Sequence, residues 1–437
     1  MRTRWLAFVL LSACSSPSGT VALTTGGESD TFTRTPVPTS LLVEAVQRDG
    51  TRTTLADAGL PSATDIDLGS PSSTTVASIQ VTARDSTGTT VVSGASPFLE
   101  LLALQGVTLP VFVQRNGELA RMPGTLPDSR SAPLVTASGR GIYGAGGLLA
   151  GFADGGAPPV FGYDLAFLDQ FSTECSATRT PRSMVLENAA LLLIDDAGAT
   201  VVDLSTCTNA DLGALADAGV PTWTSVSGGA AVYGEDGSGY IVGPSKPDFA
   251  SNTIVKVDTS GAVTTASVIA QRKGAATAWA TGKGLFVYGG SGSGDGVEIL
   301  SSGGTSASAP KYPPDPTAGL LAVQLDANTM LLLGSSTLET VDLGCPANCA
   351  VQPWGQGWPP PSVTVTPTAL FKVATGVFVA VGDDAQGATH VFRLESTQPA
   401  TPVPLKIPRT GARAVQTPTG AVVILGGGST TLEAYVP

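Results

Sequence analysis

Seven short apolar runs decide the fold of this chain: Gly141-Ile-Tyr-Gly144, Leu191-Leu-Leu-Ile194, Tyr240-Ile-Val242, Leu285-Phe-Val-Tyr-Gly289, Met330-Leu-Leu-Leu-Gly334, Val377-Phe-Val-Ala-Val-Gly382 and Val422-Val-Ile-Leu-Gly426. Each is continuous rather than alternating, and most are followed by Gly or an acidic turn residue. A strand without alternation is buried on both faces, as expected of an inner strand packed between neighbouring sheets. The runs are anchored near positions 144, 194, 242, 289, 334, 382 and 426, at intervals of 50, 48, 47, 45, 48 and 44 residues. A period this regular is the signature of a repeat array. Two stacked sandwiches, the rival arrangement, impose no constant period.

A second apolar strand follows each run and commonly ends in an acid, as in Val160-Phe-Gly-Tyr-Asp164, Thr200-Val-Val-Asp203 and Thr253-Ile-Val-Lys-Val-Asp258. A basic residue precedes several runs: Arg130, Arg182, Arg272 and Arg413. Gly pairs follow three of them, at Gly146-Gly147, Gly289-Gly290 and Gly426-Gly427. This pattern over residues 106–437 resembles the kelch repeat, with an early Arg, a Gly pair and a later aromatic. The middle units lack the Gly pair, and the repeat's Trp is mostly missing. The resemblance implies an all-β, seven-bladed kelch-like β-propeller with four strands per blade. The segment Pro110–Met122 either closes the ring or links it to what precedes.

Ahead of the array, Ser40–Gln47, Ala63–Leu68, Val76–Ala83, Thr89–Val92 and Phe98–Leu104 look like short strands separated by turn residues. Asp85-Ser86-Thr87-Gly88 has the composition of a hairpin turn. Residues 32–105 are therefore expected to form a small immunoglobulin-like β-sandwich. Residues 14–31, rich in Ser, Thr and Gly, read as a flexible tether.

At the N-terminus, Arg2, Arg4 and the apolar run Trp5–Leu11 lead into Leu11-Ser12-Ala13-Cys14. This resembles the lipobox of bacterial lipoprotein signal peptides. A spanning helix needs about 20 apolar residues, whereas Ser, Pro, Gly and Thr begin directly after Cys14. The resemblance implies that residues 1–13 are removed and that Cys14 carries the lipid. Ser15 is no acidic retention signal, so the resemblance points to the bacterial outer membrane, on either its periplasmic or its outer side. The membrane is then a partner through the lipid.

Composition agrees. The 437 residues include 53 Gly and 32 Pro, and only 13% are charged, against roughly 25% in an average domain. Low charge with much Gly, Thr, Ser and Val favours strands over amphipathic helices. Loss of Arg2 and Arg4 takes the basic residues from 23 to 21 against 35 acids, a net −14. No basic patch is present, which argues against nucleic acid as a partner. With Cys14 assigned to lipid, four cysteines remain. In an oxidising compartment they read as two disulfides, Cys345–Cys349 and Cys175–Cys207. Zinc is the rival reading, but neither pair has the two-residue spacing of a zinc knuckle.

Catalytic groups are scarce. One histidine, His390, supports neither a Ser-His-Asp triad nor a His-based metal centre. The acid pairs Asp195-Asp196, Glu235-Asp236 and Asp383-Asp384 read as solvated turns between the third and fourth strands; a ring of acids binding a cation is the sharper alternative. Trp354, Trp358 and Tyr312 lie in Pro-rich loops, where they either stack on a ligand or pack internally. No cofactor is implied. The expectation is a lipid-anchored envelope binding scaffold, its propeller loops holding an envelope protein or a polysaccharide. A carboxylate-dependent glycan hydrolase or lyase and a structural surface component are the alternatives.

Overall fold

A computed structural model describes residues 18–60, 65–69, 73–149, 158–171, 175–187, 189–215, 222–243, 250–302, 304, 307–308, 310–360 and 363–437. The readings of residues 1–13 as a signal peptide and of Cys14 as a lipidation site lie outside these residues.

The periodic apolar runs become strands of a seven-bladed β-propeller. Blades 1 to 6 are consecutive four-stranded antiparallel sheets spanning residues 134–170, 183–212, 231–272, 276–308, 321–353 and 365–402. Strands within a blade are lettered a to d from the axis outward. The runs form the b strands, and their double-sided burial follows from their place between two blades: Gly284–Tyr288 is buried at every position, as is Val422–Gly426. Blade 7 takes strands a to c from Ala412–Gln416, Val422–Gly426 and Glu433–Tyr435, and its d strand from Leu119–Arg121. Early and late parts of the chain thus meet in one sheet. Closing the ring removes the exposed edge that an open array would leave at each end.

The N-terminal part differs from the expected sandwich. It is one continuous sheet of eight strands: β1 (Thr20–Thr24), β2 (Ser40–Gln47), β3 (Arg52–Gly59), β4 (Asp65–Asp67), β5 (Val76–Arg84), β6 (Thr90–Ala95), β7 (Leu99–Glu100) and β8 (Thr108–Arg115). The order is β3-β2-β5-β6-β8-β1-β4, with β7 on β5. The sheet wraps a single core in which Val21, Val43, Ile79, Val81 and Val113 are fully shielded. Two expected boundaries shift. The tether expected over residues 14–31 gives way at Thr20, because β1 inserts Val21 into this core and pairs in parallel with β8. The boundary expected at residue 105 moves past Arg115, because β8 belongs to the N-terminal sheet. Both faces of β8 are buried: Val111 and Val113 enter the N-terminal core, while Phe112 enters the core of blades 7 and 1.

The acids that end the third strands have a local role. Asp164, Asp203, Asp258 and Asp342 each turn an Oδ1 onto backbone N–H groups of the following c–d turn, at 2.7–3.2 Å. These are Asx turns, which let the chain reverse without leaving turn amides unpaired.

Arg and Gly pairs form the blade junctions. Arg272 is fully buried, donates to the Gly289 carbonyl at 2.6 Å and pairs with fully buried Glu298 at 2.6 Å. Glu298 also accepts the Ala270 and Ile269 amides. Blade 7 repeats the arrangement: Arg409 donates to Gly426 O at 2.7 Å and pairs with Glu433, which accepts the Lys406 and Ile407 amides. In blade 1, Arg130 reaches Gly146 O at 3.1 Å, with Asp128 as its carboxylate. The glycines are required. Gly426 has φ +71°, and a Cβ there would lie 2.6 Å from the Arg130 carbonyl. Two of the arginines singled out from sequence do other work. Arg182 is exposed beside Asp196, and Arg413 pairs with Asp383, so blade 7 uses Arg409 instead.

Arg272→Met leaves the Glu298 carboxylate and several carbonyls buried without their partner. A loss of about 3–5 kcal/mol is expected, read by urea denaturation. Arg182→Met, on the surface, should cost under about 1 kcal/mol.

Candidate binding site

A four-stranded meander puts its a–b and c–d turns on one face of the ring and its b–c and d–a loops on the other. The N-terminal sheet sits against the first of these faces and against the outer edge of blade 7. Gly117 N–H donates to Val436 O at 2.7 Å. Arg34 and Arg121 pair with Glu118 and Glu28 at 2.8 and 2.9 Å.

Between the sheet and the ring lies a cleft of about 290 Å³. Its floor is apolar: Phe112, Met122, Leu165, Leu168 and Val423 all belong to the core shared by blades 7 and 1. Its rim is polar but uncharged, built from Gln80, Thr82 and Ser93 of the sheet and Thr417 and Thr419 of blade 7. The Thr82 hydroxyl is buried without a protein partner. A shape of this kind takes a small neutral molecule with an apolar body. It offers no acid, base or nucleophile pair.

On the opposite face several charges are paired among the described residues. Arg179 bridges Asp195 at 3.2 Å and Asp211 at 3.4 Å. Arg413 holds Asp383 at 2.9 Å. His390 Nε2 lies 2.9 Å from Asp384, whose carboxyl is pulled below its usual range by that hydrogen bond. The acid pairs therefore sit at blade turns, as the plainer reading had it, but not at the turns expected. Asp195-Asp196 is in a b–c turn, Asp383-Asp384 ends a b strand and Glu235-Asp236 is in an a–b turn, none between third and fourth strands. Among the described residues, no group of three or more His, Cys, Asp or Glu side chains is arranged to hold a metal ion.

Inside the channel, Tyr233 of blade 3 accepts the Leu186 amide of blade 2 at 2.8 Å and shares a 3.2 Å hydrogen bond with Thr136 of blade 1. Burial raises its phenol pKa. Nearby, Glu187 ends the a strand of blade 2. Burial, with Asp236 and then Asp258 adding repulsion, pushes its pKa up to about 7.

The three loop aromatics, open between stacking on a ligand and packing internally, make internal packing contacts. Tyr312 is buried, and its hydroxyl donates to Asp342 O and accepts Asp342 N–H at 3.0 and 2.9 Å. Trp354 and Trp358 are half-buried between blades 5 and 6, edge-on to Phe378 and Phe392. Trp358 also donates to Gly334 O at 2.8 Å. Loops that join neighbouring blades cross apolar seams, and these rings fill the seams. The four cysteines form the two expected disulfides, Cys175–Cys207 and Cys345–Cys349. The first ties blade 1's outer edge to blade 2, and the second closes the c–d connection of blade 5. The cleft residues carried no signal in the sequence, since they come from five distant segments. Glu298 and Glu433 did carry one, because each follows an Arg and a Gly pair at a similar spacing.

No family model matches the chain, and no curated protein matches it. Among solved structures, the computationally designed Ika8 protein is similar at 14% identity and a TM-score of 0.41, covering 72% of this chain and 100% of that one.

Glu187 gives a pH-dependent test. Its unfolded carboxyl loses its proton near pH 4.5, the folded one only near pH 7. Folding therefore weakens as pH rises from 4.5 to 7 and stays weakened above. Glu187→Gln should leave thermal stability unchanged at pH 4 and raise it by about 1 kcal/mol at pH 8, a value discounted for solvent screening.

Proposed function

We propose that this protein is a lipid-anchored scaffold of the bacterial cell envelope, held to the outer membrane through Cys14, that binds an envelope protein or polysaccharide without catalysis. The observation that carries this reading is the direction of the N-terminal sheet. β1 and β8 run in parallel, so the chain enters beside Thr108 and reaches the ring only past Arg115. At about 3.3 Å per residue, entry and ring lie roughly 20 Å apart. A tether attached ahead of Ser18 thus joins the sheet at the end away from the propeller, and the N-terminal sheet acts as a stalk. The stalk covers part of one face and leaves the b–c and d–a loops of the other to meet a partner.

Two further features support the reading. The disulfides suit an oxidising compartment. The buried Arg, Gly-pair and Glu junctions of blades 4 and 7 support a kelch-like propeller. Among the described residues no helix is long and apolar enough to cross a membrane, so the anchor of this reading is the lipid.

Two measurements test it. Cys14→Ser should abolish incorporation of labelled palmitate and move the protein from the membrane to the soluble fraction. A photo-crosslinking residue at exposed Arg182, on the free face, should capture a reproducible envelope partner. The same probe at Ile269, on an outer strand, should not. Equal yields from both sites would count against the presenting face.

A further inference from the structure

The end of the N-terminal sheet farthest from the ring carries a cluster of exposed apolar side chains. Val76, Leu102 and Val107 are 46%, 38% and 44% exposed. Local structure brings them together. A short 3₁₀ turn, Leu101–Leu104, buries Leu101 and Leu104 and turns Leu102 and Ala103 outward. The Leu102 amide donates to Ser73 O and the Leu101 amide to Thr75 O, which sets the turn beside Val76. Val107 N–H donates to Leu104 O. Of the other large exposed apolar side chains, Val37 stands alone ahead of β2, and Leu148, Phe167, Tyr233 and Ile269 are scattered over the propeller.

Ser18 lies at this same end. Its carbonyl accepts the Gly106 amide at 3.1 Å, and Thr20 N–H donates to Val107 O at 3.0 Å. Four peptide steps separate Ser18 from Cys14, and a fully extended chain spans at most about 14 Å over that length. A lipid on Cys14 has its acyl chains in the hydrocarbon layer. The head-group layer above it is itself roughly 5–8 Å deep. The tip is therefore held at the membrane surface by chain length alone.

From these facts we infer that Val76, Leu102 and Val107 form a membrane-contacting tip that rests in the lipid head-group layer. The inference depends on the lipid-anchor reading above. Charge at this end is mixed: Arg48 and Arg52 stand near Asp49, Asp67 and Glu100. Arg48 is also held over the Phe98 ring, 4.4 Å from its centre. Contact thus rests on apolar burial and tethering, not on attraction to anionic lipid. The tip fixes the stalk against the bilayer instead of leaving it to swing on a loose leash.

The test uses the full lipidated protein in phosphatidylcholine vesicles, and in parallel in vesicles containing phosphatidylglycerol. An environment-sensitive fluorophore is attached at Leu102→Cys, Val107→Cys or, as control, Ile269→Cys; with the anchor modified and both disulfides formed, the introduced thiol is the reactive one. Labels at 102 and 107 should shift to the blue, lose access to aqueous iodide several-fold and be quenched by brominated lipid, equally in both vesicles. The label at 269 should stay in water. Protein that floats with the vesicles while 102 and 107 remain as iodide-accessible as 269 overturns the tip and leaves the anchor standing. Protein that does not float and carries no acyl chains overturns both.

Discussion

A ring of blades keeps its shape only if the last blade meets the first. Here that meeting is the pairing of Leu119–Arg121 with Glu433–Tyr435. The strand comes directly out of the N-terminal sheet, three residues beyond β8, so the same short stretch closes the ring and fixes the N-terminal domain on it. Phe112 on β8 already lies in the core of blades 7 and 1. The two parts are therefore joined by shared backbone and shared core, a firmer union than a docked surface. The cleft exists because the sheet is held over the turns of blades 6, 7 and 1 without filling the space between.

Within the ring, each blade must lean on the next at a fixed angle. Apolar b strands supply most of the contact, and such packing is not directional. The buried Arg–Glu pairs add direction. Arg272, the last residue of blade 3, and Arg409, in the connection into blade 7, each reach the first glycine of the pair in the blade that follows, while the Gly pair turns against the segment that opens the blade after that. Burying two charges is costly unless both are paired and fully hydrogen-bonded, which these are. Aromatic rings add to some seams, with or without a Gly pair. Trp354 and Trp358 fill the seam between blades 5 and 6, and Tyr312 the seam between 4 and 5. Disulfides reinforce two of the connections that run outside the sheets.

The architecture was legible in the sequence because every blade needs one strand buried on both faces. Leu191–Ile194 and Met330–Leu333 show that requirement as an unbroken apolar run, and the blade size sets its period. The cysteine pairing was legible from its parity. The N-terminal sheet was less so. Thr20–Thr24 lies in a Ser- and Thr-rich stretch, and only Val21 of it is fully buried, so its composition resembles a linker. β8 was misassigned because its strand-turn-strand continuation into Leu119–Arg121 looks like a blade. The aromatics of Tyr312, Trp354 and Trp358 could be told from a ligand platform only by their distant partners, Asp342, Phe378 and Phe392. The cleft assembles residues far apart in the chain, and no local pattern marks them.

The parallel pairing of β1 and β8 has a mechanical consequence. Five residue pairs, from Thr20–Thr108 to Thr24–Phe112, join the two strands. A pull on the chain ahead of Thr20 acts at one end of this ribbon, and the ring resists at the other, through the C-terminal end of β8. The inter-strand hydrogen bonds are then loaded in shear, all together, and cannot be peeled off one at a time. A strand gripped this way yields only when the whole ribbon slides. A load between the ring and the chain ahead of Thr20 would thus pass through this ribbon without unravelling the domain between them.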